Sequence, residues 1–175
     1  WNHSWIKNTE FENNYDLIFY DFGIHWFDFL TSILRNRIIN VFASQNKAIT
    51  QTVKPPLLSQ CLVQLNQGQA SLIFDGFTNF GTQDRTIITG TKGTIISVGP
   101  DLGKQKIEIY TKKGKSSPKL KGSWFNDGFH GTMGELLSSI EEKRNPLNNA
   151  EDNLLSLKLT FAALESSKLN KIIKF

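Results

Sequence analysis

Residues 61–75 run Cys61-Leu62-Val63-Gln64-Leu65-Asn66-Gln67-Gly68-Gln69-Ala70-Ser71-Leu72-Ile73-Phe74-Asp75. Cys61, Val63 and Leu65 alternate with Leu62, Gln64 and Asn66, and Ala70, Leu72 and Phe74 alternate with Ser71, Ile73 and Asp75. A period of two places each set on one face of a pleated strand. Gln67-Gly68 leaves room only for a tight turn, so the two strands form an antiparallel hairpin. Working outward, strands are expected over 38–48, 57–66, 69–78, 84–90, 93–98 and 104–111, bounded by Pro55-Pro56, Gly81, Gly90, Gly99-Pro100 and Gly114. Thr91-Lys92-Gly93 joins a second antiparallel pair. Spacings this short leave no room for parallel crossovers, which need about a dozen residues.

Helical periodicity flanks the strand block. Ile24, Phe27, Leu30, Ile33 and Leu34 form one apolar stripe on a helix expected from Gly23 to Arg35, with Asn36 in a capping position. Thr132 to Glu142 carries Met133, Leu136, Leu137 and Ile140 on one face, and Pro146 then breaks the chain. Ala150 to Lys168 is a third amphipathic stretch, with Leu154, Leu155, Leu157, Leu159, Phe161, Ala162 and Leu164 assigned to its buried side, and Ile172-Ile173 is an expected edge strand. Strands in one block with helices at both ends imply an α+β fold: a largely antiparallel (mixed) β-sheet with helices packed on one face. The other face is then available for dimerisation. Ile73, together with Phe74, Phe77 and Phe80, suggests that this second face is apolar, and a homodimer through it is expected. The alternative is a core filled from both sides within one chain.

The 175 residues suit one domain spanning 1–175. With 39% hydrophobic and 21% charged residues the chain has the composition of an ordered globular protein. Its one cysteine, Cys61, has no internal partner, falls in the alternating pattern of a buried small hydrophobe, and agrees with a reducing, cytoplasmic setting. The net charge of +4 raises the question of nucleic acid. Lys104, Lys106, Lys112, Lys113, Lys115, Lys119 and Lys121 do cluster, but among Ser, Pro and Gly rather than stacking aromatics. A solvated hairpin is the better reading, and no nucleic-acid partner is expected. No stretch approaches the roughly 20 apolar residues that cross a bilayer, so no membrane partner is expected. The chain opens at Trp1 and reads as a piece of something longer.

The sharpest chemical constellation is Asp21-Phe22-Gly23-Ile24-His25-Trp26-Phe27-Asp28. If Asp21 caps the helix, His25 lies one turn further on, and side chains four apart on a helix meet. A carboxylate beside an imidazole fixes its tautomer and stabilises its charged form, which suits a general acid/base acting on a hydroxyl proton. The other reading makes Asp21 only a cap and His25 only a core histidine. Asp28 is assigned a structural role. No Gly-x-Gly-x-x-Gly follows a strand, so no cofactor is expected to bind this chain alone. His3, His25 and His130 lack the spacing of a metal-binding helix, and no metal is expected.

Four segments resemble one family. Tyr20 to Asp28 is similar to the Asp-x-x-x-His-x-x-Asp element that opens the first helix of the C-terminal domain in Gfo/Idh/MocA oxidoreductases. Asp127-Gly128-Phe129-His130-Gly131-Thr132-Met133-Gly134-Glu135-Leu136-Leu137 resembles that family's Gly-Thr-x-x-Glu-Leu helix start. Glu141 to Pro146 is similar to its loop before the last helix, and Asn153 to Ser166 to the last helix itself. The resemblance implies a two-domain parent enzyme that moves a hydride between NAD or NADP and a sugar, polyol or related hydroxy compound. Its Rossmann domain is absent from this chain, as is the Glu-Lys-Pro segment bearing the family's lysine; Val53-Lys54-Pro55 lies in the wrong place to replace it. The isolated chain is therefore expected to be inactive. By resemblance His25 is the acid/base and Asp21 its orienter or a substrate contact, while His3, Trp124 and His130 are candidate substrate contacts. A non-catalytic dimerisation or ligand-binding module of the same fold is the alternative.

Overall fold

The computed structural model describes residues 1–34 and 37–175, so the expected helix end at Arg35 and cap at Asn36 lie outside the described residues. Two compact units are formed: residues 1–78 with 148–175, and residues 79–147.

The first unit holds a four-stranded antiparallel sheet in the order β3-β2-β1-β8, from β1 (Ile38–Asn46), β2 (Leu58–Leu65), β3 (Gln69–Asp75) and β8 (Ile173–Lys174). The register follows the sequence period: Val41 faces Val63 and Ala70, while Ala43 faces Cys61 and Leu72. These side chains form the inner face, closed by α1 (Ile24–Leu34) and α3 (Ala150–Leu169). Packing of α3 on β1 and α1 relies on small groups. Its buried residues are Ser156, Leu159, Thr160, Ala162, Ala163, Leu164 and Ser166, whereas Leu154 and Phe161, assigned to the core from sequence, are exposed. A helix that approaches a sheet closely fills the gap with Ala and Ser and turns its larger groups outward. The hydroxyls are used: Ser166 Oγ accepts the Ala43 N–H at 2.9 Å and donates to Lys171 O at 2.6 Å. Ser156 Oγ lies 3.0 Å from Thr31 Oγ1 and donates to Asp28 Oδ1 at 2.6 Å, which joins α3 to α1 and gives Asp28 its structural role. Asn149 caps α3, accepting the Asp152 N–H at 3.0 Å.

Phe74 corrects one expectation. It belongs to the inner face, only 7% exposed, and not to an apolar second face. Phe77 packs against the same core, and Phe80 lies in the second unit, 92% exposed. The outer face is mixed instead. Phe42, Leu62 and Ile73 sit among Asn40, Ser44, Gln60, Gln64 and Ser71, with Asn40 bonded to Gln64 and Gln60 to Ser44 across the strands.

The second unit carries the other antiparallel sheet, in the order β4-β5-β6-β7: β4 (Asp84–Gly90), β5 (Gly93–Gly99), β6 (Lys106–Thr111) and β7 (Gly114–Ser116). The expected α+β class holds, with the strands divided between two sheets. Alternation identifies a strand and a short turn identifies its hairpin partner, but neither dictates whether successive hairpins join one sheet. The short β7 escaped sequence reading because all three of its residues are exposed and carry no apolar period. Helix α2 (Trp124–Glu141) starts eight residues before the expected Thr132, so His130 is an interior helical residue rather than one at a helix start. Gly128, Gly131 and Gly134 weaken the helical signal there, while Phe125, Phe129, Met133, Leu136 and Ile140 continue its period. Arg144 holds the following loop by donating to both carboxylate oxygens of Glu135, at 2.6 and 3.1 Å, and the Leu147 N–H donates to the same carboxylate at 2.7 Å. Together these hold Glu135 at a pKa of about 2, the arginine contributing most.

Truncation of Phe74 to alanine is expected to cost about 3–5 kcal/mol of unfolding free energy, the range for a buried phenylalanine. Urea denaturation followed by tryptophan fluorescence measures it.

Candidate active site

The chain reaches α1 through a π-helical turn, Ile18–Gly23, that runs directly into it. Asp21 is therefore inside a continuous helical run that begins upstream, and it is not the cap of a helix starting at Gly23. The wider turn is possible because position 23 is glycine: a Cβ there would lie 3.0 Å from Ile18 O and 3.5 Å from both Phe19 and Phe74. Single π-turns are uncommon and concentrate at functional sites. Leu17, Ile18 and Phe19 anchor the turn inward, leaving Tyr20 and Asp21 exposed.

Phe74 grips this junction. Its ring meets those of Phe19, Phe22, Trp26 and Phe27 edge-on, with centroids 6.1–6.4 Å apart. Phe22 stacks on Trp26 with centroids 4.8 Å apart and meets the tilted ring of Trp1 at 5.1 Å. Edge-to-face pairs at such separations are favourable beyond their buried area.

Residues 1–3 run antiparallel to the segment after β3. Asn2 bridges Phe77, the His3 N–H donates to Gly76 O at 2.7 Å, and the Thr78 N–H donates to Trp1 O at 3.2 Å. This places His3, only 8% exposed, edge-on against Phe22 with ring centroids 5.2 Å apart. Its pKa lies below the ordinary 6.5, mainly through burial and then through the Trp1 ammonium, with the Asp21 carboxylate opposing both.

The structure thus brings His3 within electrostatic reach of Asp21. No hydrogen bond joins Asp21 to His25 among the described residues. His25 is exposed one residue from the aromatic stack, its ring 6.5 Å from Trp26, which removes the reading as a core histidine. Trp124 and His130 are exposed on α2 of the second unit, Trp124 against Phe125. Sequence reading passed over Gly76 and the Phe22–Trp26 pair. The four-residue helical spacing of the pair was a visible signal, as was a glycine closing the strand at Phe74-Asp75-Gly76.

Other chemistry finds little support. Cys61 is fully enclosed, and burial pushes its thiol up to about 12, far from a nucleophile's range. No group of three potential metal ligands occurs among the described residues. Every strand pair among them is antiparallel, so they include no parallel βαβ turn of the kind that holds a dinucleotide pyrophosphate.

Residues 2–96, more than half of the chain, match the model of the GFO/IDH/MocA C-terminal domain. The chain belongs to this family. Three solved structures share the fold. An oxidoreductase from Agrobacterium radiobacter, solved with NAD+, L-tartaric acid and magnesium, is 19% identical with a TM-score of 0.72, over 88% of this chain and 48% of its own. The WlbA dehydrogenase from Bordetella pertussis, solved with NADH and UDP-GlcNAcA, is 16% identical with a TM-score of 0.67, over 90% and 44%. An aldose-aldose oxidoreductase from Caulobacter crescentus, complexed with glycerol, is 15% identical with a TM-score of 0.69, over 87% and 46%. The chain spans about half the length of these structures. Comparison with curated proteins gives no match.

His3 also predicts a pH effect. Because its folded pKa is depressed, the unfolded chain binds more protons just below pH 6.5, so stability falls as pH drops through that window. A His3→Phe variant is expected to show a shallower decline in urea-derived stability there; an unchanged slope counts against a buried, neutral His3.

Proposed function

We propose that this chain is the substrate-binding domain of an NAD(P)-dependent oxidoreductase acting on a sugar, polyol or related hydroxy compound. Its family membership supports the reaction class, and the aromatic-walled corner bearing Asp21, His3 and His25 carries the reading. The nicotinamide cofactor is assigned to the rest of the parent protein, and the isolated chain is inactive. His25, exposed and on the helix, takes or returns the proton of the substrate hydroxyl. Asp21 accepts a hydrogen bond from that hydroxyl. The pair need not touch without substrate, because catalytic hydrogen bonds commonly tighten only in the complex. His3, Trp124 and His130 are assigned to substrate binding. Two neighbours carry hydroxylated ligands in their structures, L-tartaric acid in one and glycerol in the other, which agrees with a hydroxy compound.

We assign a homodimer to the outer face of the first sheet, where Ile73 is 78% exposed and Leu62 and Phe42 lie beside it. The surrounding Gln and Ser groups suit an interface with a hydrogen-bonded rim. A cytoplasmic location is proposed from the lone, buried cysteine; no helix among the described residues is long and apolar enough to cross a membrane.

In the full-length protein, His25→Ala is expected to lower kcat about 10²-fold or more with the hydroxy compound that supports turnover. Wild-type kcat in that variant defeats the acid/base assignment. Ile73→Lys is expected to shift the protein toward monomer in sedimentation velocity, and an unchanged dimer moves the interface elsewhere.

A further inference from the structure

We propose that His3 is locked as one neutral tautomer, protonated on Nε2, and serves as a fixed hydrogen-bond donor beside the Asp21 acceptor rather than as a second acid/base. The inference rests on the substrate-site reading above and assigns His3 its chemistry there.

His3 Nδ1 is the one buried side-chain nitrogen or oxygen without a hydrogen-bond partner among the described residues. Gly76 lies against it: a Cβ built there would be 3.1 Å from Nδ1, 3.0 Å from Ile18 Cδ1 and 3.0 Å from Leu57 O. The Leu57 carbonyl already accepts the Gly76 N–H at 2.7 Å, and the His3 N–H holds Gly76 O at the same length. Nδ1 therefore faces a closed wall with no acceptor bonded to it. Buried N–H groups without acceptors are rare and costly in folded proteins. A proton on Nδ1 would create one, and a doubly protonated ring would add a desolvated charge. The proton thus belongs on Nε2. Among the described residues Nδ1 alone is a buried side-chain atom left without a partner, which leaves Nε2 as the polar edge of His3 open to a ligand. Phe22 packs edge-on to the ring, with centroids 5.2 Å apart.

The charges acting on His3 are the Trp1 ammonium and the carboxylate of Asp21, the residue next to the Phe22 ring on which His3 packs. A neutral N–H donor beside a carboxylate acceptor matches a hydroxyl, which needs one of each, or two neighbouring hydroxyls of a polyol. It does not match a carbonyl alone. His3 would then fix the substrate oxygen in place while proton transfer stays with His25. Gly76 is part of the device, since any side chain there displaces the imidazole.

The test needs no turnover. Long-range ¹H–¹⁵N spectra of the 15N-labelled chain at neutral pH should give a pyridine-like Nδ1 and a pyrrole-like Nε2 for His3. With three histidines in the chain, His25→Gln and His130→Gln assign it by elimination, so the result survives a His3 variant that fails to fold. A pyrrole-like Nδ1, or two pyrrole-like nitrogens, overturns the proposal. The donor role is read in the full-length protein with the best substrate of a panel running from glycerol to myo-inositol. His3→Gln, which can place an amide N–H near Nε2, should keep KM within a few-fold, while His3→Asn should raise it about tenfold, the worth of one hydrogen bond. Both should retain the acid limb of the pH–rate profile. Equal KM values in His3→Asn and wild type, or loss of that limb in His3→Gln, overturn it. Absence of turnover across the panel counts against the oxidoreductase reading, while the spectra still decide the tautomer.

Discussion

The grip of Phe74 on the π-turn is the constraint on which the site depends. One ring at the end of β3 meets four aromatic rings from the turn and α1, and fixes where the helix leaves the sheet. Gly23 makes the approach possible, and Leu17, Ile18 and Phe19 fill the space behind it. The extra residue in the turn points Asp21 and Tyr20 outward while the flanking apolar groups remain buried. A regular α-turn would place this carboxylate at a different angle about the helix axis. The local geometry of the chemistry thus follows from a packing decision made in the hydrophobic core.

From that clasp the three polar groups acquire different environments. His3 is enclosed and held by backbone pairing with Gly76, Asp21 is exposed on the turn, and His25 is exposed on the helix beyond the stack. Burial favours a neutral imidazole, while exposure leaves one free to exchange protons with substrate and solvent. Two histidines within one small region can thereby serve different purposes without competing for the same proton. Trp124 and His130 belong to a unit built differently, with Ser139 its one fully buried side chain among the described residues and much of α2's apolar surface open.

Much of this architecture was legible in the sequence. The period of two over residues 61–74 and the short turns at Gln67-Gly68 and Thr91-Lys92 gave both hairpins and the antiparallel class, and Ile173 pairs as an edge strand beside Val41. The apolar period from Ile24 also gave the helix on which His25 lies. What stayed hidden has physical causes. A π-turn shifts helical phase by one residue, which four-residue spacing rules cannot register, so Asp21 read as a cap. Three glycines masked the first turns of α2. Alternation alone could not say that Phe74 faces the helices, because Ile73 next to it is equally apolar; only the packed cluster distinguishes them. The orphan nitrogen of His3 arises beside residues more than fifty positions away in the chain, Gly76 and Leu57, and no local pattern announces it.

The most direct measurement is a crystal structure of the full-length protein bound to the polyol it turns over. The bound hydroxyl should lie within hydrogen-bonding distance of Asp21, the outward nitrogen of His3 and the imidazole of His25, against the rings of Phe22 and Trp26. A substrate seated away from this corner, with those three side chains left to solvent, would contradict the account.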